Sequence, residues 1–265
     1  MYSDDLFSLA GTRALVTGGA RGLGFTMAMA LANAGAELHF NVRSEESRQR
    51  GIQSFLYNGI SAKGYVCDVT HENEVQKLVE KLEQEGGIDI LVNNAGIINR
   101  TALTNMSVDE FHSVIDTDLT GPFLMAKAVL PGMIKRGHGK IINVCGILSE
   151  VGRETAAAYA SAKGGLKLLT KTIASEYGGY NIQCNGIGPG YIATSLNAAL
   201  RTPEADGSQN PFDRFICAKT PAGRWGQPQD LAGPVVFLAS KASNFVNGHI
   251  LYVDGGFLSY LGRQS

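Results

Sequence analysis

Short apolar runs alternate with longer amphipathic ones along this chain, and few folds accommodate that rhythm. Residues Thr12–Thr17, Glu37–Val42, Ala62–Cys67, Asp89–Asn93, Gly139–Val144, Ile182–Gly188 and Gly248–Val253 read as buried strands. Between them, Leu23–Ala34, Ser44–Asn58, Glu72–Glu85, Ser107–Arg136, Ala156–Tyr177 and Gln229–Ser240 carry helical patterning. Strands separated by helices pair in parallel, because a parallel pair needs a crossover of about a dozen residues or more. Right-handed crossovers then give an α/β fold, a Rossmann-type doubly wound parallel sheet of about seven strands with helices on both faces. At 265 residues the chain suits one domain, 1–265, rather than two.

One stretch departs from the rhythm. Residues 195–227 contain Arg201-Thr202-Pro203, Asp206-Gly207-Ser208, Asn210-Pro211 and Thr220-Pro221, which read as a long irregular insertion. It comes after a strand end, where a doubly wound sheet binds its ligands, so it is read as a substrate lid.

Charge and cysteine content narrow the function. Lys and Arg number 23 against 24 Asp and Glu, so no basic excess points to nucleic acid or to a membrane surface. Cys67, Cys145, Cys184 and Cys217 lie far apart, which gives neither a metal-binding pair nor a disulfide framework and fits a reducing compartment. The acidic start, Met1-Tyr2-Ser3-Asp4-Asp5, does not resemble a secretion signal. No apolar run approaches the ~18–20 residues a membrane helix needs. A cytoplasmic protein with no metal site, working through a pocket, is the expectation.

The first strand runs into Gly18-Gly19-Ala20-Arg21-Gly22-Leu23-Gly24, and a helix comes next. Without side chains, Gly18, Gly22 and Gly24 let the backbone turn sharply and approach a pyrophosphate at the helix N-terminus, where free N–H groups and the dipole favour anions. In that strand-to-helix context the glycines indicate a dinucleotide. Strand two ends Asn41-Val42-Arg43-Ser44, without the acid that would bind a ribose 2′-hydroxyl. Arg21 and Arg43 instead suit a 2′-phosphate, which favours NADP over NAD.

Tyr159 and Lys163 stand at i and i+4 on one helical face. A phenol titrates near pH ~10, and a fixed ammonium beside it stabilises the phenolate and makes it a usable acid/base.

With T-G-x-x-x-G-x-G at Thr17–Gly24, N-N-A-G at Asn93–Gly96, Y-x-x-x-K at Tyr159–Lys163 and Pro189-Gly190 in order, the whole chain resembles the short-chain dehydrogenase/reductase family. That resemblance implies an oxidoreductase in which Tyr159 is the acid/base and Lys163 holds the nicotinamide ribose. It places Asp68 and Val69 at the adenine, Leu23 and Ser44 in the nucleotide site, and Asn94, Ala95 and Gly96 against the cofactor. Pro189, Gly190, Ile192 and Thr194 would fix the carboxamide. It also implies a homotetramer built partly on the Tyr159 helix, whose Ala160, Ser161, Ala162, Gly164 and Gly165 would permit close packing. Further likeness, at residues 137–143, 152–155, 181–192, 211–213 and 244–249, is to members acting on sugar acids. By it Arg100 belongs to the active site, and Arg153 and Glu154 are further candidates for substrate contacts.

Two positions depart from the family pattern. Gly146 stands thirteen residues before Tyr159, where the family has a serine that hydrogen-bonds the reacting oxygen. Ser149 is the nearby hydroxyl. Asp118 stands in place of an asparagine whose backbone carbonyl serves a proton relay through water. Three readings are compatible with this pattern: an active NADP-dependent sugar-acid dehydrogenase, an enzyme for another keto sugar acid, or a catalytically weakened protein that binds NADP and a sugar acid.

Overall fold

Alternation inside each strand sets the layers of the molecule. In the computed structural model, which describes residues 3–262, β1 (Arg13–Thr17) turns Ala14 and Val16 to one face and Leu15 to the other. β2 (Glu37–Val42), β3 (Ala62–Val66), β4 (Ile90–Asn93), β5 (Gly139–Val144), β6 (Ile182–Pro189) and β7 (Ile250–Val253) complete one sheet. Its order is β3-β2-β1-β4-β5-β6-β7, and every neighbouring pair is parallel. The seven expected strands are therefore present, with ends moved by a residue or two. Met1, Tyr2 and 263–265 lie outside the described residues, so the reading of the first two does too.

The helices are α1 (Ser3–Phe7), α2 (Gly22–Asn33), α3 (Glu45–Tyr57), α4 (Glu72–Gln84), α5 (Val108–Ile115), α6 (Gly121–Arg136), α7 (Ala157–Tyr177), α8 (Pro211–Lys219) and α9 (Ala232–Ala239). Met27 and Leu31 of α2, Phe55 of α3 and Val235 and Leu238 of α9 bury against Val16, Phe40 and Val92 on one face of the sheet. Leu78 and Leu82 of α4, Met125 and Val129 of α6 and Ile173 of α7 cover the other face. Burying both faces removes any polar side from the central strands, which is why they read as continuous apolar runs.

Three expectations need correction. The helix read as Ser107–Arg136 is interrupted at Asp116–Thr120 by a π turn, where the Gly121 N–H donates to the Asp116 carbonyl five residues back. Pro122 carries no N–H and denies the Asp118 carbonyl its usual i+4 donor, so the ladder cannot continue in register there. The helix read as Gln229–Ser240 is a 3₁₀ turn, Pro228–Leu231, followed by α9. Residues 195–227 are not irregular throughout, since Ser195–Arg201 forms 3₁₀ turns that kink at Asn197 and α8 comes after them. No helix among the described residues is long and apolar enough to cross a membrane.

The strand order reverses between β1 and β4, and the loops leaving β1, β4, β5 and β6 open on the same carboxyl edge. That crevice is where a doubly wound sheet receives its ligand.

Candidate active site

Thr17 ties two of these loops together. Its hydroxyl oxygen accepts from the Asn94 and Ala95 N–H groups, each at 2.9 Å, and Asn94 Nδ2 donates to the Thr17 carbonyl at 2.8 Å. The N-N-A-G segment thereby braces the glycine turn. Gly18 and Gly22 have φ +63° and +57°, a region that favours glycine. A Cβ at Gly24 would overlap Asn94, whereas one at Gly22 would meet no atom within 4 Å. The result is an open cradle at the N-terminus of the 12-residue helix α2, beside exposed Arg21, with Leu23 in the first turn. Its shape and donors fit a pyrophosphate.

The adenosine end lies beyond β2. Arg43 is exposed, and the Ser44 hydroxyl caps α3 by accepting from Ser47 N–H at 3.3 Å. Burial pushes the Asp68 carboxyl up, but hydrogen bonds from Thr70 and the charges of His71 and Arg43 outweigh it and hold it below its ordinary value. Val69 is buried against Gly121, where a Cβ would come within 2.9 Å of it. Asn93 is a structural member of the set. It donates to Asn143 at 2.9 Å, and Asn143 donates to Thr170 at 2.8 Å, which locks β4, β5 and α7 together.

α7 delivers the reacting groups. Lys163 Nζ lies 5.3 Å from the centre of the Tyr159 ring, as the i, i+4 spacing requires. The ammonium is buried and donates to the Val144 carbonyl at 2.8 Å. Its second partner is the Asp118 carboxylate, Oδ2 at 3.1 Å. Asp118 is fully buried, and its Oδ1 accepts from the Ile97 N–H at 2.7 Å. A Cβ at Gly96 would come within 2.8 Å of this carboxylate, so the last glycine of N-N-A-G makes room for it. Leu119, next to Asp118, packs within 2.8 Å of the Cβ position of Gly165 and seats the π turn on α7. Burial raises the Tyr159 phenol above its ordinary value, with Lys163 and Arg100 pulling it down and Asp118 and Cys145 pushing it up. Burial lowers Lys163, but Tyr159 and Asp118 together raise it above its ordinary value, so it is protonated at neutral pH.

Gly146 comes directly after Cys145 at the end of β5, with φ 169° and ψ 173°, extended backbone that any residue adopts. A Cβ there would stand 3.9 Å from the Tyr159 hydroxyl and 3.8 Å from the Pro189 carbonyl. Ser149 has a buried hydroxyl without a hydrogen-bond partner among the described residues, and its polar neighbour is the Cys145 thiol.

Arg100 and Arg153 lie close enough for their charges to act on each other. Arg100 is exposed and makes no ion pair among the described residues. Burial of part of its stem, and then the positive charge of Arg153, lower its pKa from the ordinary value; Tyr191 and Tyr159 oppose that. Arg153 donates to the Tyr191 hydroxyl at 3.1 Å and stacks 4.7 Å from the Phe212 ring centre, with no carboxylate partner among the described residues. Glu154 is exposed beside it.

The segment after β6 completes the rim. Gly190 packs so closely on β7 that a Cβ would come within 2.7 Å of the Asp254 backbone. Pro189 ends β6, and Ile192 bridges to Gly226, its carbonyl accepting from Asn197 at 2.8 Å. The Thr194 carbonyl accepts from Arg201 at 2.9 Å. Tyr191 contacts Phe212, Trp225 and Phe257 at 5.5–5.8 Å between ring centres, and Trp225 Nε1 donates to Asp213 at 2.7 Å. These aromatic side chains were not singled out in the sequence; Phe212 beside Pro211 and Asp213 was the available signal. Thr155, just before α7, was also missed. It is a β-branched residue at φ +63°, a conformation that costs of order 1–3 kcal/mol. Among the described residues no group of three His, Cys, Asp or Glu side chains could hold a metal ion.

A family model described as enoyl-(acyl carrier protein) reductase matches residues 18–258. The chain is 51% identical over 265 residues to the 2-dehydro-3-deoxy-D-gluconate 5-dehydrogenase of Formosa agariphila, covering 99% of this chain and 98% of that one. A crystal structure of the 2-keto-3-deoxy-D-gluconate dehydrogenase of Streptococcus agalactiae is similar at 61% identity and TM-score 0.87, covering 98% of each chain. The gluconate 5-dehydrogenase of Burkholderia cenocepacia, crystallised with NADP and tartrate, is 45% identical with TM-score 0.91, covering 98% of this chain and 100% of that one.

Proposed function

Since this chain belongs to the short-chain dehydrogenase/reductase family, we propose that it is an NADP-dependent oxidoreductase interconverting D-gluconate and 5-keto-D-gluconate. The observation that carries the substrate class is the pair Arg100 and Arg153. Two guanidiniums without carboxylate partners among the described residues lie near each other, Arg100 also within reach of the charge of Tyr159, and a guanidinium fork suits a carboxylate. The tartrate in the Burkholderia cenocepacia enzyme is a small hydroxy acid of the same kind.

In this reading the glycine turn, Arg21, Leu23, Arg43, Ser44, Asp68, Val69 and the Asn94–Gly96 segment hold the dinucleotide. Pro189, Gly190, Ile192 and Thr194 hold its nicotinamide end. The bound cofactor supplies or accepts a hydride. Tyr159 takes the proton of the alcohol in oxidation and returns it to the ketone in reduction, while Lys163 keeps the phenol's charge tolerable. Arg100, Arg153 and Glu154 orient the acid, and Ser149 carries the free hydroxyl of the loop that lacks a serine at 146. Residues 195–227 act as the lid of a single catalytic domain, with Phe212 and Trp225 clamped around Tyr191. The enzyme is cytoplasmic and a homotetramer. On α7, Ser161 and Leu168 are exposed and Gly164 has open space at its Cβ position, whereas Ala162 and Gly165 pack within the chain.

A second reading comes from the names of two relatives, which act on the 2-keto-3-deoxy acid. The same carboxylate anchor serves it, so both acids belong in the assay. Arg100→Ala should raise KM for the keto acid by about ten- to a hundred-fold, the worth of one charge-assisted contact, and leave a neutral ketone unaffected. Steady-state kinetics on both substrates checks this, and an equal loss on the neutral ketone contradicts the carboxylate role. For the cofactor, Arg43→Ala should raise the Kd of NADPH by about ten-fold or more and leave that of NADH nearly unchanged. Fluorescence titration reads both, and equal changes would remove the 2′-phosphate argument.

A further inference from the structure

The Lys163 ammonium makes two polar contacts within the protein, one a hydrogen bond and one an ion pair. One reaches a neutral carbonyl, Val144. The other reaches a carboxylate, Asp118, that is fully buried, sits on the only π turn among the described residues, and is itself held by the Ile97 N–H. Gly96 is bare where any side chain would collide with that carboxylate. The π turn and the loop after β4 therefore combine to keep an anion against the lysine that serves the phenol. π turns of this kind recur at functional sites because the extra residue re-aims a side chain.

We propose that Asp118 is a positioning and charge-balancing residue, whose carboxylate fixes Lys163 and offsets the field of the ammonium at the Tyr159 hydroxyl. This rests on Tyr159 as the acid/base proposed above. A lysine beside a neutral amide would act on the phenol with its full charge. Here the buried pair is close to neutral, and the remaining cation facing the phenol is Arg100, from the substrate side. The groups that face Tyr159 are Lys163 from α7, Asp118 from the π turn, Cys145 after β5 and Arg100 after β4. Burial raises the Asp118 carboxyl above its ordinary value, and the groups that face it, Lys163 and the Ile97 N–H, pull it back toward the ionised form. With the Asp118 charge removed, the Val144 carbonyl still holds the ammonium beside the phenol, so the lost negative charge acts on the phenol with one sign. Tyr159 ionises at lower pH, and alcohol oxidation shifts with it.

The Asp118→Asn variant tests this, since the amide oxygen keeps an acceptor for Ile97 while the charge and the oxygen that faces Lys163 are lost. With tyrosine carbon-13-labelled at Cζ, the Tyr159 signal is identified by its loss in Tyr159→Phe and titrated in the whole protein without any turnover. The expected result is a midpoint lower by about one pH unit in Asp118→Asn, within the range a neighbouring like charge produces. The pH profile of kcat for oxidation moves by the same amount. A midpoint that stays or rises overturns the proposal. If Asp118→Asn does not fold, Asp118→Ser removes the same charge from a smaller side chain and carries the same expectation. A lowered Tyr159 midpoint in a protein that turns over no sugar acid supports the role of Asp118 and rejects the substrate reading instead.

Discussion

Tyr159→Phe should lower kcat by about 10²–10⁴-fold in both directions, the range supplied by a well-placed acid/base group. The substitution removes one oxygen and leaves the ring, which lies 5.3 Å from Lys163 Nζ, to fill the same space. The buried Lys163–Asp118 pair also stays, so no uncompensated charge is created in the core. Kd for NADPH and the melting temperature should therefore change little, and the loss should fall on kcat rather than KM. Steady-state assays with cofactor titration separate these quantities. A variant that retains near wild-type kcat would place the proton on another group and undo the assignment.

Gly146→Ser should have the opposite sign. The glycine is extended, and its Cβ position is free of close contacts, 3.8 Å from the Pro189 carbonyl and 3.9 Å from the Tyr159 hydroxyl. A serine therefore enters without strain and brings a donor to the place where the carbonyl oxygen must bind. One such donor is worth about 10²–10³ in rate, so kcat should rise by up to that factor with little change in stability. Parallel kcat measurements on the two forms decide it. An unchanged or lower kcat would mean that another donor already serves the carbonyl, with the unpartnered Ser149 hydroxyl as the group to remove next.

Much of this site was legible in the chain because its parts are local. The glycine turn needs a strand before it and a helix after it, and both are readable from periodicity. Tyr159 and Lys163 share a helix, so spacing alone places them together. The parts that escaped depend on elements far apart in sequence or on ambiguous local signals. Asn210-Pro211 reads as a turn, yet Asn210 caps α8 by accepting from Phe212 N–H at 2.9 Å, and Pro211 takes the first helical position. The same two residues serve a turn or a helix start, and only the packing of the next two turns of chain tells these apart. Pro122 was the sign of a break in the helix read as Ser107–Arg136, but not that the break would aim Asp118 at Lys163. That pairing joins residues 45 positions apart across three elements, and Arg153 on Phe212 is similarly remote. Asp118 thus passes from an exchange at a relay position to a charged partner of the lysine.

The most direct measurement is the absorbance of NADPH with the purified chain and 5-keto-D-gluconate, and of NADP with D-gluconate in reverse. The 2-keto-3-deoxy acid and its oxidised form are run beside them. Saturable NADPH consumption with 5-keto-D-gluconate, and NADPH formation with D-gluconate, is the predicted result. Turnover of only the 3-deoxy acid would move the substrate while keeping the site. No turnover of any of these acids by a chain that binds NADPH would contradict the account.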